Sequence, residues 1–575
     1  MVKWSQHPAD RACIPRITKR KGRMNELENR AKGPSSEHDD RKIPPEGLRA
    51  EHGDDAWHIF KSSIDGDVIA LERLLRKDSG LANSMWGYFT PLHFAVTYGH
   101  VEIVRKLLEY GADATEKTLG WQDTPLTKAL DRGYAEIADI LERHLARNYQ
   151  TSPSGSKVAE LIKSGQNERA LRQLEEDPEL IRSGDERGNT PLHWAVLTRQ
   201  SGLIDELLRR GADLQAKRAD GATPIHLAID GDYWFRANRD LSPLAMRNQW
   251  FLAGYLVARS EAYDIWTAAA VGDSDHVALL LQADASLANM KNSVDKRPLS
   301  YAAKQGHAAT VKLLLDHGAD PKAEERGAPQ GSALWAAVIG NHLECAKLLL
   351  EQGADPNSTV EAGGTPVSNA MRKGNDALVS LLYAHGASMT LDSACWIGRI
   401  ELAAEIIKGD PASINAGGDY GALCMAAGYG HMDIVKMLVR NGADLNAPWY
   451  ANNYIGYAVD TGMDMVKYLL DSGADPNNAN WQGVTYLHRA AWLGNIPFAR
   501  MLLEYGAKLD AIDTEYETTP LGWAAKFGQT EMVRFLLGKG ANPGLPANST
   551  WARPLAWARR KGHADVVSLL DNKSL

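Results

Sequence analysis

Asp419, Asp460, Asp513 and Glu515 are the carboxylates of the C-terminal part of the chain that invite a chemical reading. Two carboxyls about 5–10 Å apart, one with a displaced pKa, are what glycoside hydrolysis needs. Charged side chains are mostly exposed, so solvated surface acids are the expected account of these four. His93, His193, His226 and His488 would suit general acid–base work. Each, however, stands at the same place of a recurring Thr-x-x-His context, which asks for a local structural reason first. The cysteines are Cys13, Cys345, Cys395 and Cys424, with no CxxC pair and no zinc-type Cys/His spacing. The sequence holds no GxSxG, HExxH, phosphate loop, dinucleotide fingerprint or kinase signature. The expectation is therefore no catalytic set, no metal and no cofactor.

The elements that carry these residues are short and repeated. In residues 90–113, TPLHFAVTYGHVEIVRKLLEYGAD, Thr90 can cap a helix and Pro91 fits its first position, where a missing N–H costs nothing. Leu92, Phe94 and Ala95 give that helix an apolar side, and Gly99 suits the left-handed residue that ends it. Val101, Val104 and Leu108 share one face of a second helix, which Ile103 and Leu107 extend, while Glu102, Arg105 and Glu109 face water. Neither helix is long enough to stand alone, so each pair must bury its apolar sides against the next pair.

Glycines followed by Ala recur at Gly211, Gly318, Gly353, Gly386, Gly442, Gly473, Gly506 and Gly540. Gly318 to Gly353 is 35 residues, Gly353 to Gly386 is 33, and Gly473 to Gly506 is 33. The helix openings repeat as TPLHFAV at 90, TPLHWAV at 190, TPIHLAI at 223, TYLHRAA at 485 and TPLGWAA at 519. Period and letters together resemble the ankyrin-repeat family, over about Ala56 to Asp571. The resemblance implies an all-α solenoid of about sixteen helix–turn–helix repeats. It further implies β-hairpin fingers between repeats, and a concave face made by the fingers and first helices. It also implies that the Thr-x-x-His imidazoles serve local hydrogen bonding.

Four units, near 56, 157, 261 and 391, lack the TPLH opening and end differently, as in KDSGLANS and GDPASINA. They read as starters of four blocks: 56–148, 157–260, 261–388 and 391–571. The polar segment 148–156 is the expected break in the stack. Asp232 to Gln249, with Tyr233, Trp234 and Phe235, is an insertion in the second block. Residues 1–50 are charged and poor in periodic apolar residues, so a disordered tail is expected there, with Met24 a second candidate start.

Trp194, Trp335, Trp523 and Trp557 align with Phe94, a first-helix position that the resemblance assigns to the core. Tyr98, Trp396, Tyr429, Trp492 and Phe527 fall just before the first-helix glycine, on the side the family turns toward its ligand. Trp86, Trp121, Trp449, Tyr450, Trp481 and Tyr516 fall in fingers. Aromatics on a groove make good anchors, since they bury much area at little side-chain entropy. The expected ligand-binding set is Tyr98, Trp396, Tyr429, Trp449, Asp460, Trp481, Trp492 and Phe527.

The chain of 575 residues is 44% hydrophobic and 24% charged, as a folded soluble protein would be, and 64 Lys and Arg against 72 Asp and Glu give a net charge of -8. That balance argues against a nucleic-acid partner, although Arg372-Lys373 and Arg560-Lys561 sit at groove positions. No run of about 18 apolar residues and no signal-peptide pattern is present, so no membrane role and a cytoplasmic setting are expected. The sequons at Asn357 and Asn548 are then coincidental. The expected function is a scaffold that binds a protein partner through its concave face. The alternative is a carbohydrate- or small-ligand-binding protein, or a glycosidase-like enzyme, using an aromatic and acidic groove in the C-terminal repeats.

Overall fold

The computed structural model describes residues 53–85, 89–118, 123–232, 249–260, 262–360, 363–416, 421–446, 454–480 and 482–571. Residues 1–50, and nearly all of the insertion 232–249, lie outside that set. Among the described residues there are 32 α-helices and no strand, so the fold is an all-α repeat solenoid. Helices follow in pairs such as Pro91–Thr97 with Val101–Glu109 and Pro520–Lys526 with Thr530–Gly538.

The first helices begin as their letters dictate. Thr90, Thr190, Thr223 and Thr485 each form a reciprocal capping box with the histidine three residues on, and Thr365 does so with Ser368. Gly99 and Gly111, with φ of 74° and 84°, end the two helices of their repeat in the left-handed region. In the second helix the buried residues are Ile103, Val104 and Leu107. All three belong to the expected stripe, whose other members, Val101 and Leu108, are half-buried.

The fingers are tight turns with isolated β-bridges, such as Glu325 with Ala328 and Ala479 with Thr485. In each, a bond closes the turn: Asp185 N–H to Asn189 O at 3.2 Å, Asn480 N–H to Val484 O at 3.2 Å, Asp513 N–H to Thr518 O at 3.1 Å. Successive fingers are linked by one backbone bond, as from Ala219 N–H to Arg187 O (3.0 Å) and from Thr514 N–H to Gln482 O (2.8 Å).

The four units that lack the TPLH opening each end in a 3-10 turn, Ser79–Asn83, Pro178–Ile181, Ala285–Asn289 and Pro411–Asn415. In three of them the closing asparagine reaches the next repeat: Asn83, Asn289 and Asn415 donate to the carbonyls of Gly111, Gly318 and Gly442. Asn357 does the same to Gly386 at 3.0 Å, so this sequon amide is already occupied in the repeat-to-repeat contact. The segment expected to interrupt the stack is narrow. Helix Ala135–Tyr149 ends, Gln150 takes a φ of 51°, and Pro153–Lys163 begins, with Thr151 bridged to Gly184.

Two compact units result. One holds Ala112–Leu126 and Glu136–Met389, and its core runs as one cluster from Val158 to Ala387 without a gap at any repeat boundary. The other combines the described residues up to Gly111, Thr127–Ala135 and those from Thr390 onward. Its members are therefore the first and the last repeats of the chain.

Candidate functional site

The TPLH histidines are structural. In the capping boxes the threonine N–H donates to the imidazole Nδ1, at 3.2 Å for Thr190 and His193 and 3.1 Å for Thr485 and His488. With Nδ1 accepting, Nε2 carries the proton and donates to the next finger, to Ala222 O (3.2 Å) and Thr518 O (3.3 Å). Burial pushes both imidazoles down to about 4, which keeps them neutral. His226 differs: its Nε2 faces the Asp264 carboxylate at 2.8 Å.

A second set of imidazoles, not singled out from the sequence, follows the first-helix glycine. Nε2 of His100, His307, His431 and His563 lies 2.7, 3.1, 3.1 and 3.0 Å from the carbonyls of Ile64, Ala270, Trp396 and Lys526 in the preceding repeat. Each caps the C-terminus of a neighbouring first helix. The signal was present as the Gly-His dipeptide at 99, 306, 430 and 562.

Of the expected ligand-binding set, Trp449 and Trp481 lie outside the described residues. The others belong to the second unit. Trp396 and Tyr429 meet edge-to-face with ring centroids 5.9 Å apart, and Trp492 and Phe527 meet at 6.1 Å. These four are half-buried, whereas Tyr98 is 50% exposed. Asp460, exposed between the two aromatic pairs in sequence, has Arg489 at 3.8 Å.

Among the expected core tryptophans, Trp194, Trp523 and Trp557 are buried. Trp335 is only half-buried, because its indole N–H reaches out to Gly363 O at 2.9 Å. Trp194 and Trp523 each donate to a finger carboxylate, Asp185 and Asp513, at 2.8 Å. Asp513 also accepts from the N–H of Tyr516 (2.6 Å) and Thr518 (3.2 Å), yet burial raises its carboxyl to about 6.

Asp513 and Glu515 are thus not the solvated surface acids expected, since both are buried. Glu515 pairs with Lys128 and accepts from Gln482 at 2.7 Å. Around it the first helix of the third repeat meets the last two repeats. Asp131 is bonded to Lys526 at 3.3 Å and to Lys561 at 2.6 Å, and Arg132 donates to Glu515 O. Lys526, at a groove position, is buried with its ammonium 3.6 Å from the Tyr516 ring centroid and 4.7 Å from that of Trp557. The groove positions of the last two repeats are therefore engaged by the chain's own third repeat, a contact without precedent in the repeat pattern.

Among the described residues no cluster of His, Cys, Asp and Glu could hold a metal ion, and no helix is long and apolar enough to cross a membrane. Cys345, Cys395 and Cys424 are buried thiols, none of them in a disulfide among the described residues.

The family model described as "Ankyrin repeats (3 copies)" matches residues 59–151, 265–360, 326–393, 391–480, 423–513 and 487–574, and that described as "Ankyrin repeat" matches 187–219. Rabankyrin-5 of Homo sapiens is 23% identical over 418 residues, 69% of this chain and 29% of that protein. The E3 ubiquitin-protein ligase KEG of Arabidopsis thaliana is 25% identical over 358 residues, 61% of this chain and 20% of the relative. The ankyrin repeat domain-containing protein SAT10 of Stachybotrys chartarum (strain CBS 109288 / IBT 7711) is 30% identical over 167 residues, 27% and 8% of the two chains. The chain thus spans less than a third of the length of these relatives.

Proposed function

The chain belongs to the ankyrin-repeat family, and from that premise we propose that it is a scaffold binding a protein partner through its concave face, with the C-terminal repeats as the main contact. The observation that carries this reading is the ridge of half-buried aromatics, Trp396, Tyr429 and Trp492, on the ends of first helices in one unit. Equivalent positions of successive repeats make one surface from residues distant in sequence, and aromatic side chains there can bury large area against a partner. Tyr98, Asp460, Phe527, Trp449 and Trp481 are included in the proposed surface. Part of the same proposal is the division into blocks at 56–148, 157–260, 261–388 and 391–571, and a cytoplasmic setting.

A carbohydrate-directed or glycosidase-like groove gains no support from Asp513 and Glu515, whose oxygens are already taken by Trp523, Gln482 and Lys128. A photo-crosslinking side chain placed at Tyr429 tests the scaffold reading, with the exposed Leu279 (62%) as the control position. Discrete polypeptide adducts from Tyr429 and none from Leu279 are expected. Adducts that are absent, or equal at the two positions, would sink the proposal.

A further inference from the structure

We propose that Arg132 and Arg560, which both lie against the indole ring of Trp551, form a receptor for a phosphoryl group. The guanidinium carbons lie 5.3 and 5.9 Å from the centroid of that ring, and Arg560 is also 4.8 Å from the Trp557 ring. All four residues belong to the second compact unit.

Arg132 is 6% exposed and uses one N–H on the carbonyl of Glu515. Its Nε and Nη1 are sealed from water with no hydrogen-bond partner. A guanidinium carries five N–H donors in a fixed fork, and leaving buried ones unmade is costly. Arg560 donates to a backbone carbonyl as well, that of Trp551 at 3.1 Å. A carbonyl accepts a hydrogen bond but does not neutralise a charge.

The nearby carboxylates are spent. Asp131 serves Lys526 and Lys561 through its two oxygens, and Glu515 serves Lys128 and Gln482 through its two. Glu517, a third acid acting on this region, accepts from Ser549 at 2.7 Å. Lys128, Arg132, Lys526, Arg560 and Lys561 thus outnumber Asp131, Glu515 and Glu517, the acids bonded within this cluster.

A phosphate monoester brings about −1.5 to −2 charges and three strong acceptor oxygens, and planar guanidinium groups bind it well. It would meet the unpartnered N–H groups of Arg132 and the excess positive charge together, where a carboxylate brings a single charge. Arg560 is exposed and held by that one bond to Trp551 O, so its side chain can turn toward an oxyanion bound beside Trp551.

Titrating the full chain with inorganic phosphate, against chloride at matched ionic strength, tests this by calorimetry and thermal melting. Saturable phosphate binding that raises the melting temperature is expected. Arg560→Gln, at an exposed position, should weaken it about tenfold, and Arg132→Gln by as much or more. Arg559→Gln should leave it unchanged, since Arg559 is paired with Asp571 at 2.9 Å. A phosphoserine peptide in place of phosphate separates the sources. Equal affinity means a free phosphorylated metabolite, and tighter binding means a phosphorylated polypeptide. No saturable phosphate binding by the wild type, or wild-type affinity in Arg560→Gln, overturns the proposal, and the latter reads out even if Arg132→Gln fails to fold.

Discussion

Lys128 and Glu515 stand 387 positions apart in the chain and form an ion pair whose side chains are 0% and 3% exposed. Removing one partner of such a pair strands the other charge in a low-dielectric setting, whereas removing both does not. Glu515→Gln should therefore lower the unfolding free energy of the unit by about 3–5 kcal/mol. Lys128→Met combined with Glu515→Met should recover most of that loss. Denaturant unfolding of the three variants checks it, and a double variant as unstable as the single one would refute the assignment.

Three ionisable groups set opposing pH dependences. His193 and His488 move from 6.5 to about 4, so the unfolded chain holds the extra protons in between and stability falls as pH drops through that window. The loss is about 3 kcal/mol for each imidazole. Asp513 moves from 3.8 to about 6, so the folded chain holds its proton and stability falls as pH rises through that window. Asp513→Asn removes this counterweight. The rise in stability from pH 4 to pH 6 should be steeper in the variant than in the wild type, as measured by chemical denaturation at each pH.

The imidazoles after the first-helix glycine each hold a carbonyl of the preceding repeat, as His431 holds Trp396 and His563 holds Lys526. Replacing either with Ala should cost about 1 kcal/mol. The sites share no partner, so the double variant should lose the sum to within about 0.5 kcal/mol. Melting of the single and double variants reads this directly.

Much of the fold was legible because its causes are local. Thr90, Pro91 and Gly99 start and stop a helix by their own backbone preferences, and the period exposes itself by repetition. What escaped the sequence was set by contacts across repeats. Trp335 obeys the same letter pattern as Trp523, yet the one turns outward to Gly363 and the other inward to Asp513. Asp513 and Glu515 were read as surface acids because composition alone favours that, and nothing local announces Lys128 or Gln482 as their partners. The meeting of the third repeat with the last two carries no periodic signature at all, since Asp131, Arg132, Lys526 and Lys561 look like ordinary charged helix ends. Of the candidate surface, the aromatic positions could be picked from the alignment of repeats, but not which of them the chain itself covers.

Trp492 and Trp523 separate binding from folding within neighbouring repeats. Trp523 is fully buried and bonded to Asp513, so Trp523→Ala should destabilise the unit by about 3–5 kcal/mol. Trp492 is half-buried on the ridge, so Trp492→Ala should cost about 1 kcal/mol of stability or less. The decisive measurement is the affinity of the polypeptide captured at Tyr429 for the wild type and for Trp492→Ala, each with its melting curve. A loss of about 2 kcal/mol or more in binding is expected, with melting nearly unchanged. Undiminished affinity in Trp492→Ala, or unfolding of that variant, would contradict it.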